Sequence, residues 1–141
     1  MEVEEFFNEY GTSKTSNFDL KDILKDLNLK SKVIMRDEIK NYQNAENIIF
    51  NYQTTKEKGS HWVLCSSKYN IYFDSFGIDP VNEVHEYLKS EFKYNTLLVQ
   101  PNNTEMCGQL CVFVLYRLSN NSTFEDIILE LSEQISEFFN R

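Results

Sequence analysis

The apolar segment at residues 106–118, MCGQLCVFVLYRL, restricts the possible folds of this chain more than any other stretch. Its uninterrupted apolar part, residues 110–116, is far shorter than the roughly 20 residues that a membrane-spanning helix requires. A helix that is apolar on every face is stable only when other elements of the domain cover it on all sides. The segment therefore predicts a central, buried helix with the rest of the domain built around it.

Short runs of β-branched and aromatic residues elsewhere in the chain are typical of β-strands. We predict strands within ENIIFNYQ (46–53), HWVLCSS (61–67), YNIYFDSF (69–76) and NTLLVQ (95–100). With 141 residues, of which 41% are hydrophobic, the chain has enough apolar material for one compact core. We therefore expect a single domain of the α+β class over residues 1–141, in which a mixed or antiparallel sheet packs on the buried central helix.

Three further segments have apolar residues at helical spacing. Residues 16–30 predict an amphipathic helix with Asn17 as its N-cap, and residues 79–92 predict a second helix. Residues 122–139 predict a closing helix with a capping box that starts at Ser122. We expect each of these helices to bury one face against the core.

The charge and the cysteine content limit the compartment and the partners. The chain has 14 Lys and Arg against 22 Asp and Glu, a net charge of −8, which argues against nonspecific binding of DNA. Its three cysteines are an odd number, and its acidic start, MEVEEFFNEY, is unlike a secretory signal. We therefore expect a protein of a reducing, intracellular compartment that is not secreted and binds neither membranes nor DNA.

Two cysteines in the apolar segment, Cys107 and Cys111, raise the question of whether the segment carries chemistry. Their spacing, CGQLC, is one residue longer than that of a thioredoxin-type pair, and paired zinc ligands are missing, so we expect no metal and no cofactor. A cysteine at the start of a helix lies at the positive end of the helix dipole, which favours the thiolate. Cys107 is thus either a nucleophile or a small core residue, depending on whether the chain supplies a base.

His61 is the candidate base because it starts the strand HWVLC after the loop KEKGS, which can bring it to the sheet edge. The other histidine, His85, lies within a predicted helix in a polar setting and is expected to be solvated. If the strands pair through the turn SSKYN, Asp74 at the end of the second lies opposite His61 and can hold its tautomer. Gln100, seven residues before Cys107, can donate its amide N–H to an oxyanion, together with the backbone N–H of Cys107.

The blocks GSHWVLC, YFDSFG and VQPNNTEMCGQLC occur in this order and together resemble the adenovirus-type cysteine endopeptidases, or adenain family. That family belongs to a larger clan with the SUMO-deconjugating proteases. Its members show a His-Trp pair on a strand, an acidic residue in an aromatic-flanked segment, and a Gln ahead of C-G-x-x-C. The resemblance covers about residues 17–118, and the separation of seven between Gln100 and Cys107 is of the adenovirus type.

The resemblance implies a papain-like cysteine protease arrangement. It assigns the roles of nucleophile, base, orienting acid and oxyanion donor to Cys107, His61, Asp74 and Gln100, with Trp62 and Gly108 as substrate-binding or supporting residues. Family members cleave precursor proteins of the virion during maturation. This implies a protein or polyprotein substrate, and a location in the virion or in the cytoplasm or nucleus of a host cell.

Two other functions remain open from the sequence. An isopeptidase for a ubiquitin-like modifier would use the same residues but needs a surface for a folded partner, for which 141 residues leave little room. A catalytically inactive interaction domain would not need the four residues at all. The chain also departs from the family, since Asp74 stands where adenovirus enzymes have Glu and the cysteine that binds an activating peptide is missing. We therefore expect any activating peptide to bind without a disulfide.

Overall fold

The computed structural model describes residues 1–56 and 61–139, with only the backbone at 138–139, and contains a five-stranded sheet with helices on both faces. The helices are α1 (Val3–Tyr10), α2 (Asn17–Asp26), α3 (Asn82–Leu88), α4 (Cys107–Ser119) and α5 (Phe124–Phe139), with a 3₁₀ helix at Arg36–Asn41. The strands are β1 (Lys32–Met35), β2 (Asn47–Asn51), β3 (Trp62–Ser66), β4 (Ile71–Phe73) and β5 (Lys93–Tyr94). The predicted α+β class is confirmed. Most of the predicted KEKGS loop lies outside the described residues.

The sheet is mixed, and its strands follow the order β1-β2-β3-β4-β5. β3 pairs with β2 and β4 in antiparallel fashion, whereas the β1–β2 and β4–β5 pairs are parallel. The register between β3 and β4 aligns Leu64 with Phe73. His61, just before β3, and Asp74, just after β4, therefore lie at the same end of the sheet, as the turn between the strands predicted.

Both faces of the sheet are buried, because strand side chains alternate between two apolar cores. On one face α1, α2, α4 and α5 pack against side chains that include Ile49 and Leu64. On the other face α3 and the 3₁₀ helix pack against Phe50 and Tyr72. In α4 every residue from Cys107 to Leu115 is buried, which confirms the predicted central helix. Within residues 1–56 and 61–139, none of the helices combines the length and apolar character needed to cross a bilayer.

The N-caps of two helices differ from the prediction by one residue. α2 is capped by Ser16 rather than Asn17, because Ser16 Oγ accepts the backbone N–H of Asp19 at 3.1 Å. The Asp19 carboxylate accepts the backbone N–H of Ser16 at 2.8 Å in return, which completes a capping box. α5 follows Thr123, whose Oγ1 accepts a backbone N–H of the first turn at 3.2 Å, while Ser122 bonds a side chain of α4 instead.

The predicted strand at residues 95–100 is wrong, because this segment is a loop that follows the short β5. Leu97 is half exposed, unlike the residues of β2, β3 and β4, all of which are buried. The N–H groups of Val99 and Gln100 both donate to the carbonyl of Ser75, at 2.9 and 3.1 Å. The backbone polar groups of this segment thus bind the loop after β4 instead of a sheet ladder.

Two elements near the start of the chain, α1 and β1, were missing from the prediction. In α1, Val3, Phe6 and Phe7 are all buried, and their spacing is typical of an amphipathic helix. β1 is the β-branched run KVIM, which lies among basic residues. The predicted helix at 79–92 is confirmed only in its middle part, α3, since Lys89 adopts a left-handed conformation with φ of 64° that ends it.

Gly108 lets the first turn of α4 approach the segment that joins α1 to α2. A Cβ at this position would overlap Thr15 Oγ1 and would lie 2.8 Å from Leu20 Cδ2 and 3.3 Å from Trp62 Cδ1. Such contacts are closer than atoms of a packed core allow. Close packing, and not an unusual backbone angle, therefore requires glycine after Cys107.

Gly108→Ala should lower the free energy of unfolding by about 1–3 kcal/mol, because the added methyl group overpacks this contact. Urea denaturation of the two proteins measures the difference. Within the described residues Thr15 Oγ1 has no hydrogen-bond partner, so Thr15→Ala in the Gly108→Ala background should recover part of the loss. Equal stability of Gly108→Ala and the wild type would show that the segment moves aside freely.

Candidate active site

The candidate site lies where β3, β4 and the start of α4 meet. His61 Nε2 donates to Asp74 Oδ1 at 2.8 Å, while Cys107 Sγ accepts the backbone N–H of Trp62, the residue after His61, at 3.4 Å and contributes to raising the pKa of the imidazole. Because Asp74 occupies Nε2, the ring nitrogen that remains for Cys107 is Nδ1. The structure therefore brings together three residues that are distant in the sequence and that were predicted as base, orienting acid and nucleophile.

The carboxylate of Asp74 is fully buried and held in one orientation. Its Oδ1 also accepts the backbone N–H of Phe76 at 2.9 Å. Asn95 fixes the backbone of Asp74 from the other side, accepting its N–H at 3.1 Å and donating to its carbonyl at 2.6 Å. Asp74 Oδ2 is buried without a hydrogen-bond partner in the described part of the chain. An unpaired buried carboxylate oxygen costs stability, so its retention is easier to explain by function than by folding.

The environment of His61 keeps its imidazole protonated at neutral pH. Burial lowers the pKa of His61, but the hydrogen bond and charge of Asp74, with a further contribution from the Cys107 side chain, outweigh burial and raise the pKa to about 9. The ring of Phe76 stacks on the imidazole with centroids 4.6 Å apart, and 13% of the His61 side chain remains exposed. A protonated, shielded imidazole beside a thiol is suited to pair with a thiolate.

Both cysteines of α4 bind the main chain of Trp62. Cys107 Sγ accepts the backbone N–H of Trp62 at 3.4 Å, and Cys111 Sγ donates to its carbonyl at the same distance. Cys107 is 6% exposed, whereas Cys65 and Cys111 are completely buried, and all three are free thiols. Burial raises the pKa of Cys65 and, together with nearby negative groups, that of Cys111. Cys107 is therefore the thiol of α4 that is placed for chemistry.

Gln100 is buried beside the loop that carries Asp74. Its Oε1 accepts from Ser75 Oγ at 2.6 Å, and its Nε2 donates to the carbonyl of Thr104 at 2.8 Å. The contact with Thr104 uses one of the two hydrogens on this nitrogen, which leaves the other for an oxyanion. Among the described residues the Gln100 side chain hydrogen-bonds Ser75 and Thr104. Its role as a hydrogen-bond donor to an oxyanion next to Cys107 therefore stays a prediction.

The remaining histidine and tryptophan have different surroundings. Trp62 Nε1 donates to the carbonyl of Thr15 at 3.1 Å, and the indole lies against Gly108. His85 is exposed on α3, with its ring 5.2 Å from that of Phe92. Trp62 thus packs against the first turn of α4, and His85 lies outside the site.

Three residues that support the site were missed in the sequence. Asn95 clamps Asp74, Phe76 covers His61, and Gln109 Nε2 donates to the carbonyl of Ser13 at 2.6 Å. Phe76 lies within the block YFDSFG, so the aromatic ring next to the acid was a usable signal. Asn95 and Gln109 gave no such signal, because the backbone groups that they bind are distant in the sequence. Asn95 also lies in the segment that was predicted to be a strand.

A cleft of about 460 Å³ opens beside Cys107. It is lined by β1, by residues 14–17, by Trp62 and by the carboxylates of Glu38 and Glu105. Its size suits a few residues of an extended peptide, which would place a carbonyl next to the thiol. Within the described residues, no cluster of three or more His, Cys, Asp or Glu side chains could hold a metal ion.

Iodoacetamide at neutral pH should label Cys107 first, because it alone combines partial exposure with a histidine partner. Peptide mapping by mass spectrometry identifies the modified residue. Cys65 and Cys111 serve as internal controls and should react only when the protein is unfolded. Faster labelling of either control in the folded protein would remove Cys107 from the role of nucleophile.

The imidazole of His61 should titrate near pH 9, and Asp74→Asn should move the titration to lower pH, because an amide removes the carboxylate charge. Histidine NMR can follow this change, with the His85 resonance as a reference that the substitution leaves unaltered. Since the pKa of His61 is raised on folding, its stabilisation of the fold is complete below the unfolded value and is lost as pH rises through about 9. An unchanged titration in Asp74→Asn would mean that another group sets the pKa of His61.

Comparisons of the chain with protein-family models, with curated proteins and with solved structures each find no match. The papain-like arrangement therefore stays an expectation. What the molecule does must be inferred from the geometry of the site and from the motifs that it contains.

Proposed function

We propose that the protein is a cysteine endopeptidase. The observation that carries the proposal is the 2.8 Å contact between His61 and Asp74 next to Cys107, whose Sγ accepts the backbone N–H of Trp62, the residue after His61. A nucleophile, a base and a group that orients the base are the parts that nucleophilic catalysis requires. A structural cysteine of the core would need neither the histidine nor the buried carboxylate.

In the proposed reaction the Cys107 thiolate attacks the carbonyl carbon of the scissile peptide bond. The backbone N–H of Cys107 and the amide of Gln100 stabilise the oxyanion of the tetrahedral intermediate. His61 then gives the proton from Nδ1 to the leaving amine, and the carbon–nitrogen bond breaks to leave a thioester. Water attacks the thioester, His61 takes its proton, and the acid product leaves with the thiolate restored.

Asp74 contributes by orientation in this mechanism and does not contact the substrate. Its hydrogen bond to Nε2 keeps Nδ1 directed at Cys107 and stabilises the protonated ring. The same logic underlies the papain-like arrangement, in which a nucleophile at a helix start faces a histidine on a sheet. We include that arrangement in the proposal.

The resemblance to adenovirus-type endopeptidases favours precursor proteins of a virion as substrates, cleaved inside the particle or the host cell. The proposal includes no metal, no cofactor and no requirement for DNA or a membrane. An isopeptidase for a ubiquitin-like modifier would use the same chemistry on a different amide. The two alternatives differ in their products and not in their catalytic residues.

The decisive experiment incubates the protein with a virion precursor and with a ubiquitin-like fusion, each beside a Cys107→Ser control. Cleavage of the precursor by the wild type alone supports the endopeptidase. Release of the ubiquitin-like domain alone would replace this proposal with the isopeptidase. Intact substrates in both reactions would leave the chain as an inactive interaction domain.

Gln100→Ala should lower kcat by ~10² with little change in KM, because an oxyanion donor acts only in the transition state. Gln134→Ala on α5 removes the same side chain away from the site and should have no effect. Urea denaturation checks that loss of the bonds to Ser75 and Thr104 has not unfolded the protein. An increase confined to KM would show that Gln100 contacts the substrate only in the ground state.

A further inference from the structure

Exposed apolar side chains gather on two loops next to His61. Phe76 stacks on the imidazole and is 37% exposed, and Ile78 two residues later is 50% exposed. Leu97, on the loop after β5, is 49% exposed. The two loops are in contact, since a Cβ at Gly77 would lie 2.5 Å from the carbonyl oxygen of Thr96. The three exposed apolar side chains therefore lie on two adjoining loops.

The second of these loops borders a groove of about 640 Å³ between β5 and α5. Leu97, Tyr94 and Leu129 line this groove, and the latter two are 43% and 54% exposed. Patches of this kind on a small domain are typical of interaction sites. We call the five residues Phe76, Ile78, Tyr94, Leu97 and Leu129 the apolar surface.

The chemistry of His61 indicates which part of a substrate meets the apolar surface. His61 must protonate the leaving nitrogen, so the chain on the C-terminal side of the scissile bond departs over the imidazole. Phe76, the side chain stacked on that imidazole, is the first member of the apolar surface that this chain meets. The cleft beside Cys107 is lined by Trp62 but not by His61 or Phe76, which suits it to the acyl part of the substrate.

We propose that the apolar surface binds the substrate segment C-terminal to the scissile bond, and that this segment carries apolar side chains. The inference rests on the proposed endopeptidase function and adds a substrate class to it. The charges at the rim of the groove support an uncharged occupant, because Lys93 and Glu125 pair with each other at 2.9 Å. A polar or charged segment on the C-terminal side of the scissile bond would not gain binding free energy from contact with the half-exposed side chains of Leu97 and Leu129.

The test compares two kinds of substrate with the same acyl part. One is a peptide aminomethylcoumarin, whose leaving group is too small to extend along the groove. The other is a longer peptide that continues past the scissile bond with a tail of leucine and valine, or with a matched tail of serine. The wild type should cleave the apolar tail with a kcat/KM about fivefold or more above that of the serine tail.

Leu97→Ser and Leu129→Ser should each remove about fivefold of kcat/KM on the apolar tail and leave coumarin release unchanged. Unchanged coumarin release also shows that each variant is folded. Phe18→Ser is the matched control, because Phe18 is 71% exposed and lines neither the groove nor the cleft. It should behave as the wild type on every substrate.

Equal cleavage of the apolar and serine tails by the wild type, or full activity of both leucine variants on the apolar tail, would overturn this inference while leaving the endopeptidase in place. A wild type that releases no coumarin and cleaves neither tail would overturn the endopeptidase itself, and the inference with it. The coumarin substrate thus separates the two failures.

Discussion

The main chain of Trp62 is the point at which the buried helix α4 and the sheet are joined. Its N–H donates to Cys107 Sγ and its carbonyl accepts from Cys111 Sγ, so two successive turns of the helix bind one residue of the strand. Because Trp62 directly follows His61, this junction sets the distance between His61 and Cys107. Gly108 lets the same turn of the helix pack against Thr15, Leu20 and the indole of Trp62, where a Cβ would lie too close. The apolar character of α4 is the other requirement, since a polar helix could not lie between the sheet and the outer helices.

The hydrogen bonds around Asp74 fix the orientation of its carboxylate, although burying this group lowers the stability of the fold. The carboxylate keeps one oxygen on the imidazole and leaves the other unpaired among the described residues, while Asn95 and Ser75 bind the surrounding backbone and Gln100. A fold selected only for stability would replace such a buried charge with an apolar residue of similar size. This hydrogen-bond network is better explained by the orientation that it gives to the side chains of Asp74 and Gln100.

Local patterns in the sequence were sufficient for the parts of the fold that depend on neighbours along the chain. The turn between β3 and β4 placed His61 opposite Asp74, and the apolar run starting at Cys107 predicted a buried helix. The predictions that failed concern contacts between residues that are distant in the sequence. Residues 95–100 resemble a strand in composition. However, the N–H groups of Val99 and Gln100 donate to the carbonyl of Ser75, a contact that cannot be read from the local sequence. Asn95 and Gln109 act on the backbone of remote loops, where an amide side chain looks like any polar surface residue.

The order of the elements along the chain matters for synthesis. The strands that carry His61 and Asp74 leave the ribosome before Cys107 does, and each pairs with a neighbour that is adjacent in sequence. Cys107 joins them only when α4 has emerged and packed against the sheet, on the face that α5 also covers. Because α4 also fills the core on that face of the sheet, His61, Asp74 and Cys107 come together in the same step that completes this core.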